Sequence, residues 1–81
     1  MERIPVNFDF NGKQYSGYLS QVTGTGETGM FHLSIDNYYY GQLRYSSFIN
    51  GWVFDTNKGS EGWEKLAEYF GYVVTAWYDS H

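Results

Sequence analysis

Asn11-Gly12 follows directly on an alternating segment, and that placement constrains the fold more than any other feature of the chain. Ile4, Val6, Phe8 and Phe10 are apolar with Asn7 and Asp9 between them, the two-residue period of a half-buried strand. A two-residue type I′ turn needs positive φ at both central residues, and Asn-Gly supplies it. The register is then fixed: Phe10 faces Lys13, Phe8 faces Tyr15, Val6 faces Gly17 and Ile4 faces Leu19. Tyr15, Gly17 and Leu19 therefore share the core side, with Gly17 leaving room for a large neighbour. Pro5 puts the start of the first strand at a sheet edge.

The same alternation returns at Phe31, Leu33 and Ile35, separated by His32, Ser34 and Asp36. Between the two lies Thr23 to Gly29, which has three glycines and no apolar side chain and reads as a mobile loop. After Asn37, Tyr38, Tyr39 and Tyr40 are expected in a loop, followed by a strand over 42–49 with Leu43, Tyr45 and Ile49 on one face. Asn50-Gly51 repeats the turn signal and predicts a second hairpin, with Ile49 opposite Trp52 and Ser47 opposite Phe54. The strands are expected at about 3–10, 13–22, 30–36, 42–49 and 52–56.

Past residue 60 the period changes. Trp63, Leu66, Ala67, Phe70, Val73, Val74 and Trp77 follow the i, i+3, i+4, i+7 spacing of an amphipathic helix, with Glu61, Glu64, Lys65, Glu68 and Asp79 on the other side. Ser60 is the expected N-cap, and the early glutamates suit the positive end of the helix dipole. Gly71 opens an alternative, a helix end followed by a sixth strand over 72–78. One helix over about 61–78 is preferred, because the stripe keeps its phase through Gly71, which falls off the apolar centre. The predicted fold is a single α+β domain: a five-stranded antiparallel sheet, made of two Asn-Gly hairpins plus a linking strand, with the C-terminal helix packed on one face. Its core joins Ile4, Val6, Phe8, Phe10, Leu19, Phe31, Leu33, Ile35, Leu43, Trp52 and Phe54 to the helix stripe.

Composition narrows the function classes. With no cysteine among 81 residues there is neither a disulfide framework nor a thiolate metal site, so packing alone must hold the domain. A net charge of −4 and five scattered Lys and Arg argue against a nucleic-acid partner. The expectation is a soluble, cytoplasmic chain, because it shows neither a leader-like apolar run nor a membrane-length one.

Gly24-Thr25-Gly26-Glu27-Thr28-Gly29 spells a dinucleotide-binding pattern, but a strand follows it where a helix is required, and Glu27 would repel phosphate. His32 and Asp36 share a strand face yet lie roughly 13 Å apart, too far to hold one ion unaided. The serines have neither a nucleophile elbow nor a nearby histidine partner. Glu61, Glu64 and Glu68 form an acidic helix flank, with Lys65 placed to pair with Glu61. No catalytic residue, cofactor or metal is expected.

The remaining signal is aromatic: nine Tyr, six Phe and three Trp. The register and helix phase assign the tryptophans and most phenylalanines to the core, together with Tyr15 and Tyr45, and leave tyrosines outside. Tyr offers stiff, amphipathic contact area at low entropy cost. The candidate binding surface is the outer sheet face and the adjoining loop: Tyr18, His32, Tyr38, Tyr39, Tyr40, Phe48 and Val53, with Phe48 opposite Val53. The expected role is a non-enzymatic interaction module that binds a protein partner or a second copy of itself. A carbohydrate-binding module is the alternative.

Overall fold

A computed structural model describes residues 3–22 and 29–80. Five strands run Arg3–Phe10 (β1), Lys13–Gln21 (β2), Met30–Ile35 (β3), Tyr38–Ser46 (β4) and Gly51–Thr56 (β5). They form one antiparallel meander in sequence order, and a C-terminal helix, Ala67–Asp79 (α1), completes the α+β arrangement. The loop reading of 23–29 and the glycine pattern within it fall almost wholly outside the described residues.

β1 and β2 pair in the register that Asn11-Gly12 dictates, Phe10 with Lys13 through Ile4 with Leu19, and both turn residues have positive φ. The residues flanking such a turn exchange both backbone bonds. Ile4, Val6, Phe8 and Phe10 therefore bond to β2, while Pro5, Asn7 and Asp9 direct their backbone groups outward along the sheet edge. Pro5 forfeits no ladder bond there, and the Tyr69 hydroxyl of α1 donates to the outward carbonyl of Asn7 at 2.6 Å. Gly17 does more than leave room: its Cβ would collide with the Ser34 carbonyl oxygen of β3, so only glycine lets the strands meet there.

The second half of the sheet departs from expectation. The β3–β4 connection is a two-residue turn, Asp36-Asn37, with φ of 54° and 68°. Short polar side chains tolerate this left-handed conformation. Tyr38, Tyr39 and Tyr40 consequently belong to β4 instead of a loop. Leu33 pairs with Gly41 but Ser34 pairs with Tyr39, so a bulge at Tyr40 shifts the register. β4 ends at Ser46, and Asn50 (φ 54°) closes a four-residue turn, Ser47–Asn50, while Gly51 already belongs to β5. Trp52 accordingly faces Tyr45, Val53 faces Arg44 and Phe54 faces Leu43. The expected pairing of Ile49 with Trp52, and of Phe48 with Val53, does not occur; Ile49 and Tyr45 are exposed.

The helical segment begins with a 3-10 turn, Trp63–Leu66, behind Gly62 at φ 90°. Ser60 is not a helix cap. Fully buried, its hydroxyl accepts from the Asn57 amide at 2.8 Å and donates to the Asn57 carbonyl at 3.0 Å, closing the loop after β5. Glu61 accepts from the Gly59 amide. Residues 72–78 continue α1, so the sixth-strand alternative is overturned. Gly71 lies on the buried side, where its α-carbon packs against the Trp52 indole.

The core forms around the aromatic residues that the two periods bring together. Phe70 meets Phe8 of β1 at 5.1 Å and Phe54 of β5 at 5.2 Å, both edge-on. Both edge strands thus reach the helix, and the sheet curls around it. Trp63, 2% exposed, is ringed by Phe8, Phe10, Tyr15 and Tyr40. Edge-to-face and stacked pairs of this kind each add about 0.5–1.5 kcal/mol beyond area burial.

Candidate functional site

The convex sheet face, which α1 leaves uncovered, is predominantly polar. Across it run Asn7 and Ser16, Ser34 and Gln42, Arg44 and Asp55. The Ser16 hydroxyl donates to Asn7 Oδ1 at 2.7 Å, and Arg44 Nε donates to Asp55 Oδ2 at 2.8 Å. Hydrogen bonding to Asp55 raises the Arg44 pKa further. Of the expected surface residues, Tyr18, His32, Tyr39 and Val53 do lie on this face. Each is already engaged. The Arg3 guanidinium sits 4.3 Å from the Tyr18 ring centroid. His32 packs edge-on to Tyr39 at 5.0 Å and its Nε2 lies 3.3 Å from Gln42 Oε1. Val53 is half-buried opposite Arg44. Partial burial, and then the Asp55 carboxylate, raise the Tyr39 hydroxyl above its ordinary value.

The other expected residues disperse. Tyr40 turns to the core side and stacks on Trp63 at 5.5 Å, because the bulge breaks the alternation and puts Tyr40 on the same side as the next residue, Gly41. Tyr38 stands exposed beside the Asp36-Asn37 turn. Phe48 is in the β4–β5 turn, well away from Tyr18, and is 95% exposed.

Apolar area gathers around that turn. Ile49 is 57% and Tyr45 48% exposed, and Tyr45 stands edge-on to Trp52 at 5.4 Å. Ile49 folds back toward Gly51, and the carboxylate of Glu68 on α1 approaches the same glycine, adding one acidic group to the rim. The alternation ends with β4 at Ser46, so Ile49, expected on the core side, stands in the turn, whereas Tyr45 keeps the core-side register opposite Trp52 and is exposed near the end of the strand. The exposure of Ile49 follows from the four-residue turn, whose local trace is Asn50.

Two open depressions lie elsewhere. One, about 440 Å³, is lined by Asn7, Phe8, Asp9, Leu66 and Tyr69 beside the β1 edge. The second, about 330 Å³, lies between the start of β2 and the β3–β4 turn. Among the described residues no three His, Cys, Asp or Glu side chains group as metal ligands, and no helix is long and apolar enough to cross a membrane. His32 has Gln42 and Tyr39 as neighbours, and Asp36 has left the strand for the turn.

Compared with family models, curated proteins and solved structures, the chain matches none.

Proposed function

We propose that the chain is a non-enzymatic protein-interaction module whose contact surface is the β4–β5 turn, with Phe48 as the anchor and Ile49 and Tyr45 beside it. The observation that carries this reading is the exposure of Phe48. A phenylalanine 95% in water at the tip of a turn contributes little to folding, and a ring of that size supplies the central apolar contact on which binding energy concentrates. Ile49, next to it in the turn, and Tyr45, near the end of β4, add exposed apolar area, and apolar area gathered at one end of a domain marks interaction sites. The polar convex face then serves as a solvated flank.

A carbohydrate site finds less support. Sugar stacking needs open ring faces, whereas Arg3 covers one face of Tyr18 and His32 packs against Tyr39. Trp63 is buried, and Trp52 and Trp77 pack against the core.

Affinity capture from native extract with wild type and with a Phe48→Ser, Ile49→Ser double variant tests the proposal. Wild type should retain at least one protein that the variant loses while keeping the same circular dichroism. Identical retained proteins for both, or none for either, would remove the turn as the contact surface.

A further inference from the structure

We infer that the 330 Å³ notch between β2 and the β3–β4 turn receives the C-terminal tail of a partner protein, which adds as a short antiparallel strand to β2. The site is separate from the β4–β5 turn and does not depend on it.

The argument begins with an interrupted ladder. β2 pairs with β1 along its first eight residues, but its pairing with β3 stops at Tyr18 opposite Ser34. Residues 13–16 thus have a neighbouring strand on one side only. Backbone direction along β2 is set by the Asn11-Gly12 turn: Lys13, Tyr15 and Gly17 bond to β1, so Gln14 and Ser16 point the other way. The Val22 amide, of the same parity, donates to Met30 of β3 at 2.8 Å, as this phasing requires. Among the described residues, no backbone bond joins Gln14 or Ser16 to the β3–β4 turn. Their amides and carbonyls therefore line the notch as an open strand edge, the template that strand addition uses.

The walls select polarity. Tyr15, Ile35 and Tyr40 form an apolar side, with the bulge that drives Tyr40 inward shaping it. Lys13 stands at one end, its Nζ 5.2 Å from the Tyr15 ring centroid, and Asp36 at the other. A chain continuing the ladder of β3 would run antiparallel to β2, entering beside Asp36 and ending opposite Lys13. A terminal carboxylate would then meet the Lys13 ammonium, and a basic residue about three positions earlier would meet Asp36. Four residues of β2, roughly 13 Å long, are free to pair.

The test uses the full chain and a combinatorial array of tetrapeptides attached through their N-termini, so that the C-terminal carboxylate is free. Bound peptides should favour Lys or Arg at the first position. The tightest should weaken about tenfold on C-terminal amidation or with Lys13→Met, the scale of a lost charge-assisted hydrogen bond. N-methylation of alternate peptide amides should abolish binding in one phase and spare it in the other. Gln14→Pro, which removes an amide directed into the notch and not toward β1, should keep the circular dichroism of wild type and lose binding. No binding by any tetrapeptide, or binding indifferent to amidation, to Lys13→Met and to the phase of N-methylation, would overturn the inference.

Discussion

The α-carbon of Gly71 packs so closely on the Trp52 indole that a methyl group there would overlap Cδ1, Cγ and Nε1. Helix propensity alone favours alanine at this position by about 1 kcal/mol. Overpacking a filled site costs about 1–3 kcal/mol, and here the obstacle is a ring held between Tyr45 and Phe31. The steric term wins. Gly71→Ala should destabilise the domain by about 1–2 kcal/mol in urea unfolding, and Trp52→Leu should suppress much of that loss in a double-mutant cycle. A Gly71→Ala protein more stable than wild type would refute this packing.

Among the described residues Ser60 is a fully buried polar side chain, and its hydroxyl both donates to and accepts from the Asn57 backbone. Replacing it with alanine leaves the Asn57 amide without that acceptor. A cost of about 1–3 kcal/mol follows. Equilibrium unfolding of Ser60→Ala should show it, whereas Ser47→Ala in the exposed turn should stay within about 0.5 kcal/mol of wild type.

Tyr69 joins α1 to the outward edge of β1 through one bond to the Asn7 carbonyl. Tyr69→Phe keeps the ring and removes the hydroxyl. The expected loss is about 0.5–1.5 kcal/mol, together with faster hydrogen exchange along β1.

The Tyr39 hydroxyl is held above its ordinary value by partial burial and then by Asp55. A raised folded-state pKa means that the protonated form is favoured in the native state. Its contribution is therefore complete below the unfolded value of about 10 and is lost as pH rises through the folded value. Tyr39→Phe should flatten the decline of stability above that pH. Asp55→Asn should bring the Tyr39 titration down part of the way in carbon-detected tyrosine NMR, because the larger cause, burial, remains.

The first hairpin and the helix stripe could be read from sequence because each rests on a long periodic run closed by an unambiguous signal. Asn11-Gly12 ends an alternation of four apolar residues, and the stripe from Trp63 to Trp77 holds its side even though its first turn is 3-10 and not α. Asn50-Gly51 is ambiguous because the dipeptide looks the same whether both residues form a turn or the asparagine ends a longer one. Only the pairing of Tyr45 with Trp52 distinguishes these cases, and the dipeptide itself does not encode it. Asp36-Asn37 carries no glycine, so the sequence does not reveal its turn and places the start of β4 at 42 instead of Tyr38. These two local ambiguities account for the misplaced residues: Tyr40, expected outside, lies on the core side; Ile49, expected inside, is exposed in the turn; and Phe48 stands in that turn and not on the sheet face opposite Val53.

If the β4–β5 turn is the contact surface, a partner must cover Phe48. Hydroxyl-radical footprinting of the chain in native extract and in buffer measures this at single residues. Oxidation of Phe48, Ile49 and Tyr45 should fall several-fold in extract while that of Tyr72, exposed on α1, stays unchanged. Equal oxidation of Phe48 in extract and in buffer would contradict the account.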